Sequence, residues 1–222
     1  MSDFWLIINV ILDAFPWIFL LYMPFKDRLR FSRITTVLAN FVVLTLYYIS
    51  FKRIIGEDFY NLDIMLAYRM VQIFVVLILC IYFINDFIQK VLFVFGQLLP
   101  ISVFVLVWAS HTNNYITIKQ SATYLDTAVL RIIISCVCFP FMYILWKKYI
   151  VPVVKTDNKR QWKYGWIIPM IFSIVSLSYC ENNFEITYMH LHQVLARLTL
   201  SIGVVIVSVM QFRAVRTEES FV

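Results

Sequence analysis

The chain has 222 residues, 62% of them hydrophobic and only 14% charged, with a formal net charge of +6. A soluble domain keeps about a quarter of its residues charged, so this composition argues against an ordinary water-soluble fold. The positive balance does not imply nucleic acid, because the cations gather at the ends of apolar runs, where they set membrane topology.

Those runs are about 18 to 24 residues long, enough to cross a hydrocarbon core ~30 Å thick. Glycine is scarce, at four residues, and no ten-residue alternation is visible. The expected fold class is therefore all-α, an integral membrane bundle of about seven transmembrane helices rather than a barrel. In chain order the spans are Phe4–Met23, Ile34–Phe51, Ile64–Ile84, Val91–Trp108, Thr127–Trp146, Tyr164–Tyr179 and His190–Phe212. The first follows Met1-Ser2-Asp3, with no basic leader and no small-residue cleavage site, so it reads as a retained helix rather than a signal peptide. The expected organisation is a seven-span transmembrane domain over 1–212 and a cytoplasmic helical extension over 213–222.

Orientation follows from the connections. The first carries Lys26, Arg28, Arg30 and Arg33 against Asp27, and the fifth carries Lys147, Lys148, Lys155, Lys159, Arg160 and Lys163 against Asp157. Arg213 and Arg216 follow the last span. The segments 52–63, 111–126 and 180–187 are acidic or nearly uncharged. Alternation puts every strongly basic segment on one side, so the N-terminus is expected outside and the C-terminus in the cytoplasm. Trp5, Trp108, Trp146, Trp162 and Trp166 near span ends form an aromatic belt. Pro16, Pro100, Pro140 and Pro169 lie within spans and each removes a backbone donor.

Ionisable residues within the spans carry the functional reading, since a charge at mid-bilayer costs at least about 2.5–3.5 kcal/mol without a partner or water. Asp13, Arg69, Arg131 and Arg197 fall in the outer half. Asp13 lies roughly 13 Å and Arg197 roughly 10 Å below the outer ends of their spans. Arginine can lift its guanidinium to the headgroups along its apolar stem, which the short Asp13 cannot do. Asn9 sits one turn from Asp13 on the same face. The expectation is that Asp13 pairs with Arg197 or Arg69, and that Asn9, Asp13, Arg69, Gln72, Arg131 and Arg197 line an outward-facing polar cavity. That cavity either locks the bundle or receives a ligand, and an anionic group such as a peptide carboxylate suits three arginines.

Other chemistry finds no support. His111, His190 and His192 have no standard metal-ligand spacing to Cys180, Glu181 or Glu185. Cys136 and Cys138 have no histidine at similar depth, and no C-x-x-C pair occurs. The last span lacks a lysine for retinal, and four scattered glycines cannot build a phosphate loop. No catalytic residue, metal or cofactor is expected. The competing class is a small-molecule or peptide transporter using the same cavity, although the span prolines do not pair as broken helices in two halves.

Three local motifs resemble those of bacterial GHKL-type sensor histidine kinases. Pro24-Phe25-Lys26-Asp27-Arg28-Leu29-Arg30-Phe31-Ser32 is similar to their first cytoplasmic loop. Phe139-Pro140 through Tyr143 to Trp146-Lys147-Lys148 and Val151-Pro152 is similar to the end of their fifth helix. Trp162-Lys163-Tyr164-Gly165-Trp166-Ile167-Ile168-Pro169 is similar to the start of their sixth. The resemblance implies the membrane sensor region of a two-component-type system, like the peptide-pheromone receptor kinases of Gram-positive bacteria, which pass a ligand-induced change down the last helix. The sequence stops at Val222 without a cytoplasmic phosphoacceptor histidine or an ATP-binding motif. The chain as given is expected to be non-enzymatic and in the cell membrane, as a truncated receptor, the product of a split gene or a kinase-less relative, the last two working with a separate kinase or response regulator. Val204, Val207, Gln211 and Ala214 follow a heptad spacing and suggest a homodimer seam.

Overall fold

The computed structural model describes residues 14–55, 62–116, 124–157, 159–181 and 191–220. Among these the protein is helical, without strands, and an isolated antiparallel bridge joins Leu29 to Ile84. Two compact units divide the chain, Met1–Asp86 and Phe87–Val222.

The described part of the first unit holds α1 (Ala14–Phe25), α2 (Arg33–Ile55) and α3 (Leu62–Phe83). Helix α1 tightens into a 3-10 turn over Met23–Phe25 at Pro24. Ser32 then starts α2 as an N-cap, its Oγ accepting the Thr35 N–H at 3.1 Å. The basic connection between α1 and α2 is tied to the end of α3. Arg30 N–H donates to the Phe83 carbonyl at 2.9 Å, and Asn85 N–H donates to the Arg28 carbonyl at 2.8 Å. Arg28 and Asp86 close the same junction with an ion pair of 2.7 Å. Further along the helices, Asn40 Nδ2 donates to Tyr22 Oη at 3.0 Å and to the Thr36 carbonyl at 2.8 Å. The buried Cys80 thiol lies 3.5 Å from the same tyrosine oxygen, so one polar knot joins α1, α2 and α3.

The second unit is built around α4 (Ile88–Ile116), against which α5 (Tyr124–Leu145), α8 (Ile167–Glu181) and α9 (Leu191–Ser220) pack. The apolar stretch of α4 is 71% buried, against 28% for those of α5 and α9, so α4 is the core helix. Val103 and Val107 of α4 meet Val194 of α9, with Leu99, Phe104 and Leu177 around them. Helix α5 runs into a π-helical turn over Trp146–Ile150, where the Val151 N–H reaches back to the Trp146 carbonyl. The short α6 (Val151–Lys155) follows, with Pro152 in its first turn. A proline ring clashes with the carbonyl four residues earlier, and the wider π turn relieves that contact with Lys148. Helix α7 (Lys159–Gly165) precedes α8.

The burial pattern is the reverse of a water-soluble bundle. Ile34, Leu38, Val42, Leu46 and Ile49 form an exposed apolar stripe on α2 at steps of three and four. Val129, Ile133, Val137, Phe141 and Ile144 do so on α5, and Leu195, Leu198, Ile202, Ile206 and Met210 on α9. Thr36, Asn40, Gln97, Ser135, Ser173, Arg197, Ser201 and Ser208 are instead buried. Water would not tolerate contiguous apolar stripes of this length on several helices, whereas lipid is their natural solvent. Four helical segments are long and apolar enough to cross a membrane, Arg33–Ser50, Ile88–Ala109, Ile132–Lys155 and Val194–Ala214. The apolar stretches Ala14–Phe25, Val71–Phe83 and Trp162–Leu177 are shorter.

Candidate functional site: a polar seam along the last helix

The inward face of α9 reads Val194, Arg197, Ser201, Val204, Ser208 and Gln211, at steps of three and four. All are buried except Gln211, which is half-buried. Four of these six side chains are polar, and the bonds of Ser201, Ser208 and Gln211 reach other elements of the same unit.

Two prolines explain where those bonds go. Pro100 lacks an N–H, so the Gly96 carbonyl one turn earlier loses its partner within α4. Ser173 of α8 replaces it, donating from Oγ to Gly96 O at 2.8 Å. Pro169 likewise frees the carbonyl of Gly165, and Gln211 of α9 donates to that oxygen from Nε2 at 3.0 Å. Both sites share the spacing Gly-x-x-x-Pro, in Gly96–Pro100 and Gly165–Pro169. The missing Cβ matters at Gly96, where a methyl group would stand 2.9 Å from the Pro169 carbonyl carbon.

Further bonds join α9 to α4. Ser201 Oγ donates to the Arg197 carbonyl at 2.8 Å and lies 3.3 Å from the Pro100 carbonyl, sharing one proton between them. Ser208 Oγ donates to Gln97 Oε1 at 2.6 Å. Moving along α9 from Ser201 to Ser208 moves back along α4 from Pro100 to Gln97, so the two helices run antiparallel. Gln97 is buried, and its Nε2 has no hydrogen-bond partner among the described residues.

Of the residues expected to form an outward cavity, Arg197 is 1% exposed and sits on this seam, between Val194 and Ser201. Gln72 is half-buried on α3, in the other unit. Arg69 and Arg131 lie on α3 and α5 at positions whose side chains are outside the described set, and Asn9 and Asp13 lie outside the described residues. Among the described residues no group of three or more His, Cys, Asp or Glu side chains is placed to hold a metal ion.

The seam gives a prediction of its own. Ser173→Ala leaves the Gly96 carbonyl unpartnered and is expected to cost about 1 kcal/mol, in line with hydrogen bonds between membrane helices. Pro100→Ala restores the N–H within α4, so Ser173→Ala should cost less than half as much in that background. A double-mutant cycle of unfolding free energies in detergent micelles measures the difference.

Comparison with known proteins gives no family-model match, no match among curated proteins and no match among solved structures.

Proposed function

We propose that the chain is a membrane-embedded sensor module with about seven spans, its N-terminus outside and its C-terminus in the cytoplasm. On this reading it detects an extracellular peptide or anionic small ligand, with Arg197 as a candidate contact, and α9 carries the change to a cytoplasmic kinase or response regulator. The observation that carries the reading is the continuity of α9. Its 30 residues rise about 45 Å, more than a ~30 Å hydrocarbon core, so one rigid element joins a buried guanidinium to an exposed polar end. Between those ends its side chains hold the proline-freed carbonyl of Gly165 and bond to Gln97, next to the proline-freed carbonyl of Gly96 in α4. Proline breaks held by side chains are points where a bundle can repack between two arrangements, and a ligand that prefers one of them shifts the population.

The test is a fusion in which a dimeric histidine kinase domain follows Val222 in reconstituted vesicles. Arg197→Gln is expected to change autophosphorylation at least about threefold, and Arg197→Lys to return most of it. A folded Arg197→Gln protein with unchanged output contradicts the sensor reading. The interruption between α7 and α8, with its Gly165 carbonyl held by a side chain, favours a second reading, transport, because broken helices are how carriers expose backbone to substrate. Peptide flux in vesicles without a kinase would establish that alternative.

A further inference from the structure

We infer that the rim of the second unit, where the π turn, α6, α7 and the end of α9 meet, is a binding surface for the headgroups of anionic phospholipids. Lys147 and Lys148 are exposed on the π turn, Lys155 on α6, Lys163 on α7 and Arg213 on α9. Two contacts bring these elements together beside residues 211–213. The Tyr149 ring meets Phe212 edge to face at 5.5 Å between centroids, and Gln211 holds the Gly165 carbonyl. Five cations thus border one corner of the unit.

The rim has the depth that a headgroup surface requires. The exposed apolar stripe of α5 ends at Phe141 and Ile144, directly before Lys147, and that of α9 ends at Met210, directly before Arg213. Exposed Tyr164 and the exposed Ile167 and Ile168 flank Lys163 on the α7–α8 side. Apolar stripes that give way to cations beside an aromatic ring mark the level at which acyl chains give way to phosphates.

Charge selects the occupant. None of the five cations forms an ion pair with a described residue. The exposed carboxylate nearest to them in sequence, Asp157, is engaged by the buried Lys90, with Nζ 2.8 Å from Oδ1. Lys148 and Lys163 make cation–π contacts with the adjacent Tyr149 and Tyr164, at 5.3 and 5.2 Å, which orient an ammonium group without neutralising it. An excess of exposed, unneutralised lysines at headgroup level fits lipid phosphate better than zwitterionic lipid, whose choline carries its own cation.

The test uses the whole chain in phosphatidylcholine vesicles, with spin-labelled phosphatidylglycerol or spin-labelled phosphatidylcholine as the probe. The motionally restricted fraction gives the relative association of each lipid. The wild type is expected to prefer phosphatidylglycerol about fivefold, the gain for a cation near an anionic headgroup. The variant K147Q/K148Q/K155Q/K163Q should remove most of the preference, while K26Q/R30Q/R33Q, in the first unit, should lower it less, because Asp27 already engages Arg33. Raising the salt from about 0.01 M to about 0.5 M should remove most of the wild-type preference, because exposed pairs are screened. This arm needs no variant to fold. Overturning results are an absent wild-type preference, an equal loss in the first-unit variant, a preference that survives high salt, or binding of soluble polyglutamate without lipid selectivity.

Discussion

Gly96→Ala is expected to destabilise the protein by about 2–3 kcal/mol, the cost of overpacking a filled interface. The added Cβ would stand 2.9 Å from the Pro169 carbonyl carbon, 3.0 Å from the Met170 nitrogen and 3.0 Å from Pro169 Cβ. Two of those atoms are backbone and the third belongs to a proline ring, so no rotamer change relieves the contact. Helix α8 has to move away from α4, which also stretches the Ser173 bond to the Gly96 carbonyl. Gly203 is the control. There a Cβ would meet the Phe172 ring at 2.8 Å, but that ring can swing, and alanine gains about 1 kcal/mol of helix propensity over glycine. Gly203→Ala is therefore expected within about 1 kcal/mol of wild type. Denaturant unfolding in detergent micelles, followed by tryptophan fluorescence, ranks the two variants. Equal losses contradict the close α4–α8 approach.

Removing the carboxylate at Asp157 is expected to have the other large effect, with a marked asymmetry. The Lys90 side chain is wholly buried, while Asp157 is 64% exposed. Phe87 and Trp162 flank the ammonium at 5.7 and 5.6 Å, and Trp162 is held in place by its Nε1 bond to the Thr156 carbonyl at 2.9 Å. Asp157→Asn takes the counter-charge from a buried cation and should cost about 2–3 kcal/mol, below the range for fully buried pairs because Asp157 is largely solvated. Lys90→Met removes the charge and keeps an unbranched apolar stem between the two rings. Its cost should be about 1 kcal/mol or less, and the double variant should resemble Lys90→Met alone. Thermal denaturation midpoints of the three variants check the pattern. A costlier Lys90→Met would mean that the ion pair itself stabilises the fold.

The helices were legible in the sequence because lipid-length apolar runs leave little alternative, and their ends less so. The span expected over Val91–Trp108 lies within a helix from Ile88 to Ile116, since a polar end can remain helical outside the hydrocarbon. The run expected over Tyr164–Tyr179 breaks at Trp166, three residues before Pro169, and divides between α7 and α8. The run ending at Trp146 continues through the π turn to Lys155, which an apolar count cannot foresee.

The candidate site was only partly legible. Arg197 stands out in any sequence reading, because a guanidinium within a span is costly. The seam around it was harder to place, because apolar side chains lie on every side of α9, Val194 and Val204 of the inward face among them, and offer little contrast. The spacing through Val204, Val207, Gln211 and Ala214 addresses a homodimer seam, a different question from the inward face, on which Val204 and Ser208 are buried. Small polar residues were the better guide. Ser201 and Ser208 lie one heptad apart, and both face α4. Pro100 and Pro169 are expected from the sequence to remove backbone donors, and the structure adds which side chains take up the freed carbonyls, Ser173 and Gln211.

Lipid as the solvent of the exposed apolar stripes underlies the whole account, and Cys136 tests it without any substitution. This residue is exposed midway along α5, between Ile133 and Val137 of the apolar stripe. In vesicles opened so that both faces meet the reagent, a charged, membrane-impermeant thiosulfonate should leave Cys136 unmodified, as located by mass spectrometry, and should modify it fully once detergent unfolds the chain. Modification of Cys136 in intact bilayers at the rate of a free thiol would place that surface in water and contradict the membrane-embedded bundle.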